Sequence, residues 1–138
     1  MRVFITGGTG LVGSEIVRQL CDRGDTPVVL TRNVERAQRS ASPGVELVEG
    51  NPQQQDAWMR QVDGCDAGIN LVGESVFGKR WNAEQKQKIR DSRIVSTQNV
   101  VQAMVAADRT PPVLASASAI GFYGNVPEAE LTEESPPG

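Results

Sequence analysis

The stretch Val3-Phe4-Ile5-Thr6-Gly7-Gly8-Thr9-Gly10-Leu11-Val12-Gly13 constrains the fold more than any other part of the chain. Val3, Phe4 and Ile5 form a short apolar run of the kind buried in a parallel sheet. Glycines then follow at positions 7, 8, 10 and 13, and from Gly13 the pattern turns helical, with Val12, Ile16 and Leu20 at four-residue steps. A strand, a glycine turn and a helix make an anion site. The first N–H groups of the helix lack carbonyl partners, and the helix dipole adds partial positive charge there. The missing Cβ permits a tight turn at Gly7, approach of a diphosphate at Gly10 and packing of helix on strand at Gly13. In this setting the glycine spacing implies a dinucleotide site.

The chain's 138 residues are enough for one core, and they read as a single domain over 1–138. A net charge of −3 with dispersed basic residues gives no case for nucleic acid. No apolar run approaches the ~20 residues that span a bilayer. Met1 leads straight into a strand without a basic or apolar leader, so the expected setting is cytoplasmic and away from membranes. Cys21 and Cys65 lie far apart and read as reduced structural thiols. The chain has no histidine. That excludes Ser-His-Asp and Cys-His chemistry and leaves no imidazole for a metal, so no metal site is expected.

Strands are expected near residues 2–6, 27–31, 45–48, 67–72 and 112–117. Gly24 suits the left-handed position that ends the first helix. Asn33 caps a short helix through Arg39, and Asn51-Pro52 opens a helix that buries Trp58, Met59 and Val62. Asn82 with Gln85 reads as a capping box. It opens a long helix to about Ala107 that buries Ile94, Val101, Met104 and Val105. Intervening helices require parallel strands and right-handed crossovers, giving the order 3-2-1-4-5 with the third strand at an edge.

Two stretches extend the ligand site. In an NAD-binding unit an acidic residue about 20 positions beyond the glycines takes the adenosine ribose hydroxyls. Nineteen positions beyond Gly13 this chain has no acid but Thr31-Arg32-Asn33. A guanidinium there suits a 2′-phosphate by charge and by bidentate geometry, so the cofactor expected is NADP. Asn70-Leu71-Val72-Gly73 closes the fourth strand at the switch point, beside the glycine loop, and should lie against the cofactor.

Thr6 to Gly13 resembles the T-G-x-x-G-x-x-G fingerprint of extended short-chain dehydrogenases/reductases, the group holding the NAD-dependent epimerases and dehydratases. Asn70 to Gly73 is similar to their N-x-A-G motif, with Val72 where alanine is usual. Gly73-Glu74-Ser75, Gly78-Lys79-Arg80-Trp81-Asn82, Gln85-Lys86-Gln87-Lys88 and Asp91-Ser92-Arg93 resemble one atypical branch, the epimerase family. The likeness runs from Met1 to Gly138. It implies an α/β, Rossmann-type doubly wound parallel sheet. It also implies cofactor contacts from Gly7, Thr9, Gly10, Leu11, Val12, Gly13, Thr31, Arg32, Leu71, Val72 and Gly73, with the Arg93 guanidinium reaching the phosphates. Ser116 to Gly124 looks like the S-S-S-A-x-x-Y-G segment of the group with one extra residue. Ser118 then falls on the catalytic serine, whose hydroxyl bonds the reacting oxygen, and Tyr123 on the wall of the substrate pocket. Glu74, Lys79 and Arg80, on a loop over the switch point, fit a polar substrate and a solvated surface equally well.

The group's chemistry also needs a Tyr-x-x-x-Lys pair, in which the lysine lowers the tyrosine pKa from about 10. Tyr123 is the only tyrosine, and no lysine follows it. The resemblance puts that pair beyond Gly138. The expectation is an N-terminal portion of a protein of about 300 residues, with little turnover of its own. The free edge of the fifth strand would favour association into a homo-oligomer. Two functions fit. One is an NADP-dependent oxidoreductase or epimerase passing hydride to or from a small carbonyl or sugar-like substrate. The other is a non-enzymatic NADP-binding sensor or interaction module.

Overall fold

The computed structural model describes residues 1–127 and 130–138, with Ile120 as backbone alone. Among the described residues, five strands form one sheet: β1 (Arg2–Thr6), β2 (Thr26–Thr31), β3 (Glu46–Glu49), β4 (Ala67–Asn70) and β5 (Leu114–Ser116). All pair in parallel, in the order β3-β2-β1-β4-β5, as the sequence implies. The connections carry α1 (Leu11–Asp22), α2 (Val34–Gln38) and α3 (Ala83–Ala106). Among the described residues, no helix is long and apolar enough to cross a membrane.

Alternation along the central strands divides the core in two. Phe4, Val28 and Leu30 pack with Trp58, Val62, Val100 and Met104 on one face. Val3, Ile5 and Val29 pack with Val17 and Leu20 of α1 on the other. Trp58 is 1% exposed and stacks on Phe4 with ring centroids 5.8 Å apart. Its indole N–H donates to the Gln54 carbonyl at 2.8 Å, so the ring is buried with its polar atom satisfied.

Several elements differ from the sequence expectation. The segment after Asn51-Pro52 is not an α-helix. Asn51 Oδ1 accepts from the Gln53 N–H, closing a turn, and a 3₁₀ helix (Ala57–Val62) starts only after Asp56, its N-cap. It buries Trp58 and Val62 but leaves Met59 half-exposed. Helix α1 begins at Leu11 and turns Gly13, Val17 and Leu20 inward, while Val12 is 62% exposed. The glycine that can touch the turn, rather than the valine, faces the sheet.

Helix α3 shows the largest departure. Its buried face is Gln85, Ser92, Ser96, Asn99, Val100, Ala103 and Met104. Ile94, Val101 and Val105 are 43%, 41% and 72% exposed. Two of the inward polar side chains have partners on other elements: Asn99 Nδ2 donates to the Pro52 carbonyl, and Ser92 Oγ accepts from the Glu74 N–H. Asn82 does cap the helix by accepting from the Gln85 N–H, but Gln85 donates to Glu74 instead of returning to Asn82. Strand β5 is shorter than expected, although the Val113 carbonyl and the Ala117 N–H just outside its ends still bond Gly68 and Asn70. Strand β4 stops at Asn70, where Leu71 N–H still reaches the Thr6 carbonyl as the chain crosses the glycine turn.

Candidate functional site

The site starts where β1 runs out. Gly7 has φ +73°, and its carbonyl accepts from the Gly10 N–H at 3.0 Å. A Cβ on Gly7 would lie 2.8 Å from the Leu71 carbonyl carbon, so the β4 exit and the glycine turn pack backbone to backbone. Gly10 is the N-cap of α1 and offers no side chain to the helix's first N–H groups. No acidic residue occupies the first turn. These donors and the dipole of a twelve-residue helix are left for an anion.

Beside this turn lies a crevice of about 440 Å³ at the carboxyl ends of the strands. Gly7 and Thr9 form one wall, and Thr31 and Arg32 lead in from β2. Arg36 and Ala37 of α2 continue that side, Gly50 to Gln53 come from the exit of β3, and Val72 to Glu74 from the exit of β4. Ser92 and Ser96 of α3 complete it. Ser96 is fully buried, and its hydroxyl has no partner among the described residues.

Glu74 ties the β4 exit to α3. Its N–H donates to Ser92 Oγ at 2.8 Å, and its carbonyl accepts from Arg93 Nη1 at 3.1 Å. Its carboxylate accepts from Lys79 Nζ and Gln85 Nε2. Lys79 and Gln85, with the charge of Arg32 adding, hold the Glu74 carboxyl below its ordinary range. Asn70 is the buried node beneath. It accepts from Thr6 Oγ1 at 2.6 Å and donates to Thr97 Oγ1 and Ser116 Oγ, joining β1, β4, β5 and α3.

The structure therefore gathers Gly7, Thr9, Thr31, Arg32, Val72 and Gly73 around one crevice. Gly10, Leu11, Val12, Gly13 and Leu71 form the turn and the backbone behind it. Arg93 lies against that backbone: Nη1 also donates to the Ile89 carbonyl, and a Cβ on Gly73 would stand 2.9 Å from its guanidinium carbon. Ser118 is exposed on the loop after β5, and Tyr123 is half-buried in a 3₁₀ helix (Ile120–Tyr123), edge-on to Phe122. Neither lines the crevice. Burial raises the pKa of both Cys65 and Cys21, as suits inert thiols.

Sequence reasoning missed Arg36 and the Gly50 to Gln53 segment. Both had a signal. The Asn33 cap fixes Arg36 one turn beyond Arg32, and the exit of a third parallel strand must open at the same end of the sheet.

Comparison with known proteins agrees with this geometry. Residues 3–138 match the model of the NAD dependent epimerase/dehydratase family. Epimerase family protein SH2119 of Staphylococcus haemolyticus is 40% identical over 120 residues, covering 87% of this chain and 38% of that protein. Epimerase family protein YfhF of Bacillus subtilis is 35% identical over 136 residues, covering 98% and 43%. The chain thus spans about two fifths of the length of these curated relatives. Among solved structures, human epimerase family protein SDR39U1 with NADPH superposes with a TM-score of 0.76 at 26% identity, over 99% of this chain and 43% of that one. A UDP-galactose 4-epimerase superposes at 0.80 with 20% identity, covering 100% and 45%, a likeness of fold.

Proposed function

The chain belongs to the NAD dependent epimerase/dehydratase family, and from that premise we propose that residues 1–138 are the cofactor-binding portion of an NADP-dependent oxidoreductase or epimerase. The observation that carries this reading is Arg32. It stands at the end of β2, lines the crevice beside the glycine turn, and is followed by Asn33 with no carboxylate at the ribose position. An acid there would bond two ribose hydroxyls and repel a 2′-phosphate, whereas a guanidinium attracts it.

The residues fit a dinucleotide. A Cβ at Gly7 or Gly13 would meet backbone within 3 Å, so α1 packs directly on the glycine turn, and the Gly7 main chain lines the crevice. The uncapped start of α1 would take the pyrophosphate, and Val72 and Gly73 would lie along the adenosine half. The bound cofactor would supply hydride exchange at its nicotinamide ring. Ser118 would then donate its hydroxyl to the oxygen of a small carbonyl or sugar-like substrate, and Tyr123 would stand beside that substrate. Arg93 Nη1 holds the Glu74 and Ile89 carbonyls, and its other N–H groups would be the ones to reach the phosphates.

Titration with NADPH and NADH tests the reading, followed by NADPH oxidation against a panel of carbonyl compounds and nucleotide sugars. The expected result is tighter binding of NADPH. Equal affinity, or preference for NADH, would remove the basis for NADP use.

A further inference from the structure

Arg32 is one of two guanidinium-bearing residues on the same side of the crevice. Arg36 is the other, and it lines the crevice from α2, one helical turn along the chain. The Asn33 side chain fixes that placement: Asn33 Oδ1 accepts from the Arg36 N–H at 2.7 Å, holding Arg36 in the first turn of α2. Both arginines are exposed, and among the described residues neither has a carboxylate within ion-pair distance. Arg2, Arg18, Arg23 and Arg109 each pair with an acid. Lack of an ion pair alone does not single out Arg32 and Arg36, since Arg39, Arg60, Arg80, Arg90 and Arg93 also make none among the described residues; their shared place on the crevice does. Two guanidinium groups lining one crevice without an ion pair, with the Glu74 carboxylate acting on Arg32 only at longer range, suit an anion of more than one charge.

We propose that Arg36 is a specificity-determining residue that closes with Arg32 on the 2′-phosphate of the cofactor. This rests on the NADP reading above and extends it. A 2′-phosphate monoester carries between one and two negative charges near neutral pH and offers three acceptor oxygens. One planar guanidinium takes two of those oxygens, and a second satisfies the remainder and the second charge. Thr31, whose Oγ1 lies within hydrogen-bond distance of the Asn33 N–H and carbonyl, steadies the turn between the two arginines.

The test is a competition titration of the chain with 2′,5′-ADP, 3′,5′-ADP, 5′-AMP and inorganic phosphate. It uses the natural sequence, Arg36→Ala, Arg36→Lys, Arg32→Ala and the control Arg39→Ala. Arg39 ends the same short helix but does not line the crevice. The natural chain should prefer 2′,5′-ADP over both 5′-AMP and 3′,5′-ADP. Arg36→Ala should cut that preference by about tenfold, with Arg36→Lys intermediate and Arg39→Ala unchanged. A natural chain with no 2′,5′ preference sinks the NADP reading itself. A preference that survives Arg36→Ala, or falls equally with Arg39→Ala, leaves that reading standing and overturns the role of Arg36. Inorganic phosphate binding as tightly as 2′,5′-ADP would show a bare anion site and overturn it too. Thermal unfolding of each variant checks that α2 remains folded.

Discussion

A Cβ built on Gly13 falls 2.2 Å from the carbonyl oxygen of Gly7. The obstacle is backbone on both sides, with the Gly8 Cα at 2.7 Å, so no side chain can swing away to make room. Gly13→Ala must therefore push α1 off β1. The expected loss of stability is about 1–3 kcal/mol, the usual cost of overpacking, and it should appear as a lower urea midpoint. Gly10 is different. Its Cβ would meet only the Gly7 carbonyl, at 3.2 Å, and the residue is exposed. Gly10→Ala should unfold close to the natural chain yet bind dinucleotide more weakly. Equal destabilisation by the two changes would mean that the turn is held by something other than the packing of Gly13 on Gly7.

Arg32→Ala separates charge recognition from the rest of the site. An ionic hydrogen bond is worth roughly 1.5–3 kcal/mol. The substitution should weaken NADPH about ten- to a hundredfold and lower its advantage over NADH by the same factor. Isothermal titration measures both. Equal losses for the two cofactors would place Arg32 on a part of the molecule they share.

Strand order and the glycine turn were legible in the sequence because both are backbone matters. Apolar runs, turn residues and chain direction leave few alternatives for a parallel sheet. The inward face of α3 was not legible. Hydrophobic periodicity points to Ile94, Val101 and Val105, but the β3 exit presents a carbonyl and the β4 exit an amide N–H to this helix. Asn99 and Ser92 answer them, and the helix turns accordingly. Arg36 and the Gly50 to Gln53 segment escaped for another reason. Fingerprint spacing follows the first strand and its neighbours, and says nothing of side chains converging from a third strand and a five-residue helix.

Acid should loosen the N-terminal strand first. Asp66 accepts from the Arg2 N–H at 2.7 Å and from Arg109 at 3.1 Å, and these hold its carboxyl below the ordinary range, with the Arg2 bond the larger cause. Arg2 likewise lowers Glu46, and the N-terminal ammonium lowers Asp25. A carboxyl depressed in the folded state stabilises the fold fully above its unfolded value, about 4. That contribution is lost as pH falls through the lower folded value. Asp66→Asn should thus be less stable than the natural chain at pH 7, and the gap should close below about pH 4. Urea midpoints between pH 7 and pH 3 measure it. A gap constant across that range would show that Asp66 contributes through shape rather than charge.

Asn70 offers the sharpest test of what the switch point needs. Its side chain accepts from Thr6 Oγ1 and donates to Thr97 and Ser116, and Asn70 and Thr6 are 3% and 0% exposed. Only a carboxamide supplies an acceptor and two donors in this shape. Asn70→Leu keeps the size but strands the Thr6 hydroxyl, an expected cost of about 1–3 kcal/mol. Adding Thr6→Val removes the stranded partner, so the double variant should regain part of that loss. Asn70→Asp keeps the acceptor but loses both donors and buries a charge, and it should be the least stable of the set at pH 7. Its deficit should shrink on acidification, because the protonated carboxyl is neutral and regains one donor. Denaturant unfolding at pH 7 and pH 5 reads all four. If Asn70→Leu and the double variant lose the same amount, the Thr6–Asn70 bond is not the coupling that holds β1 to β4.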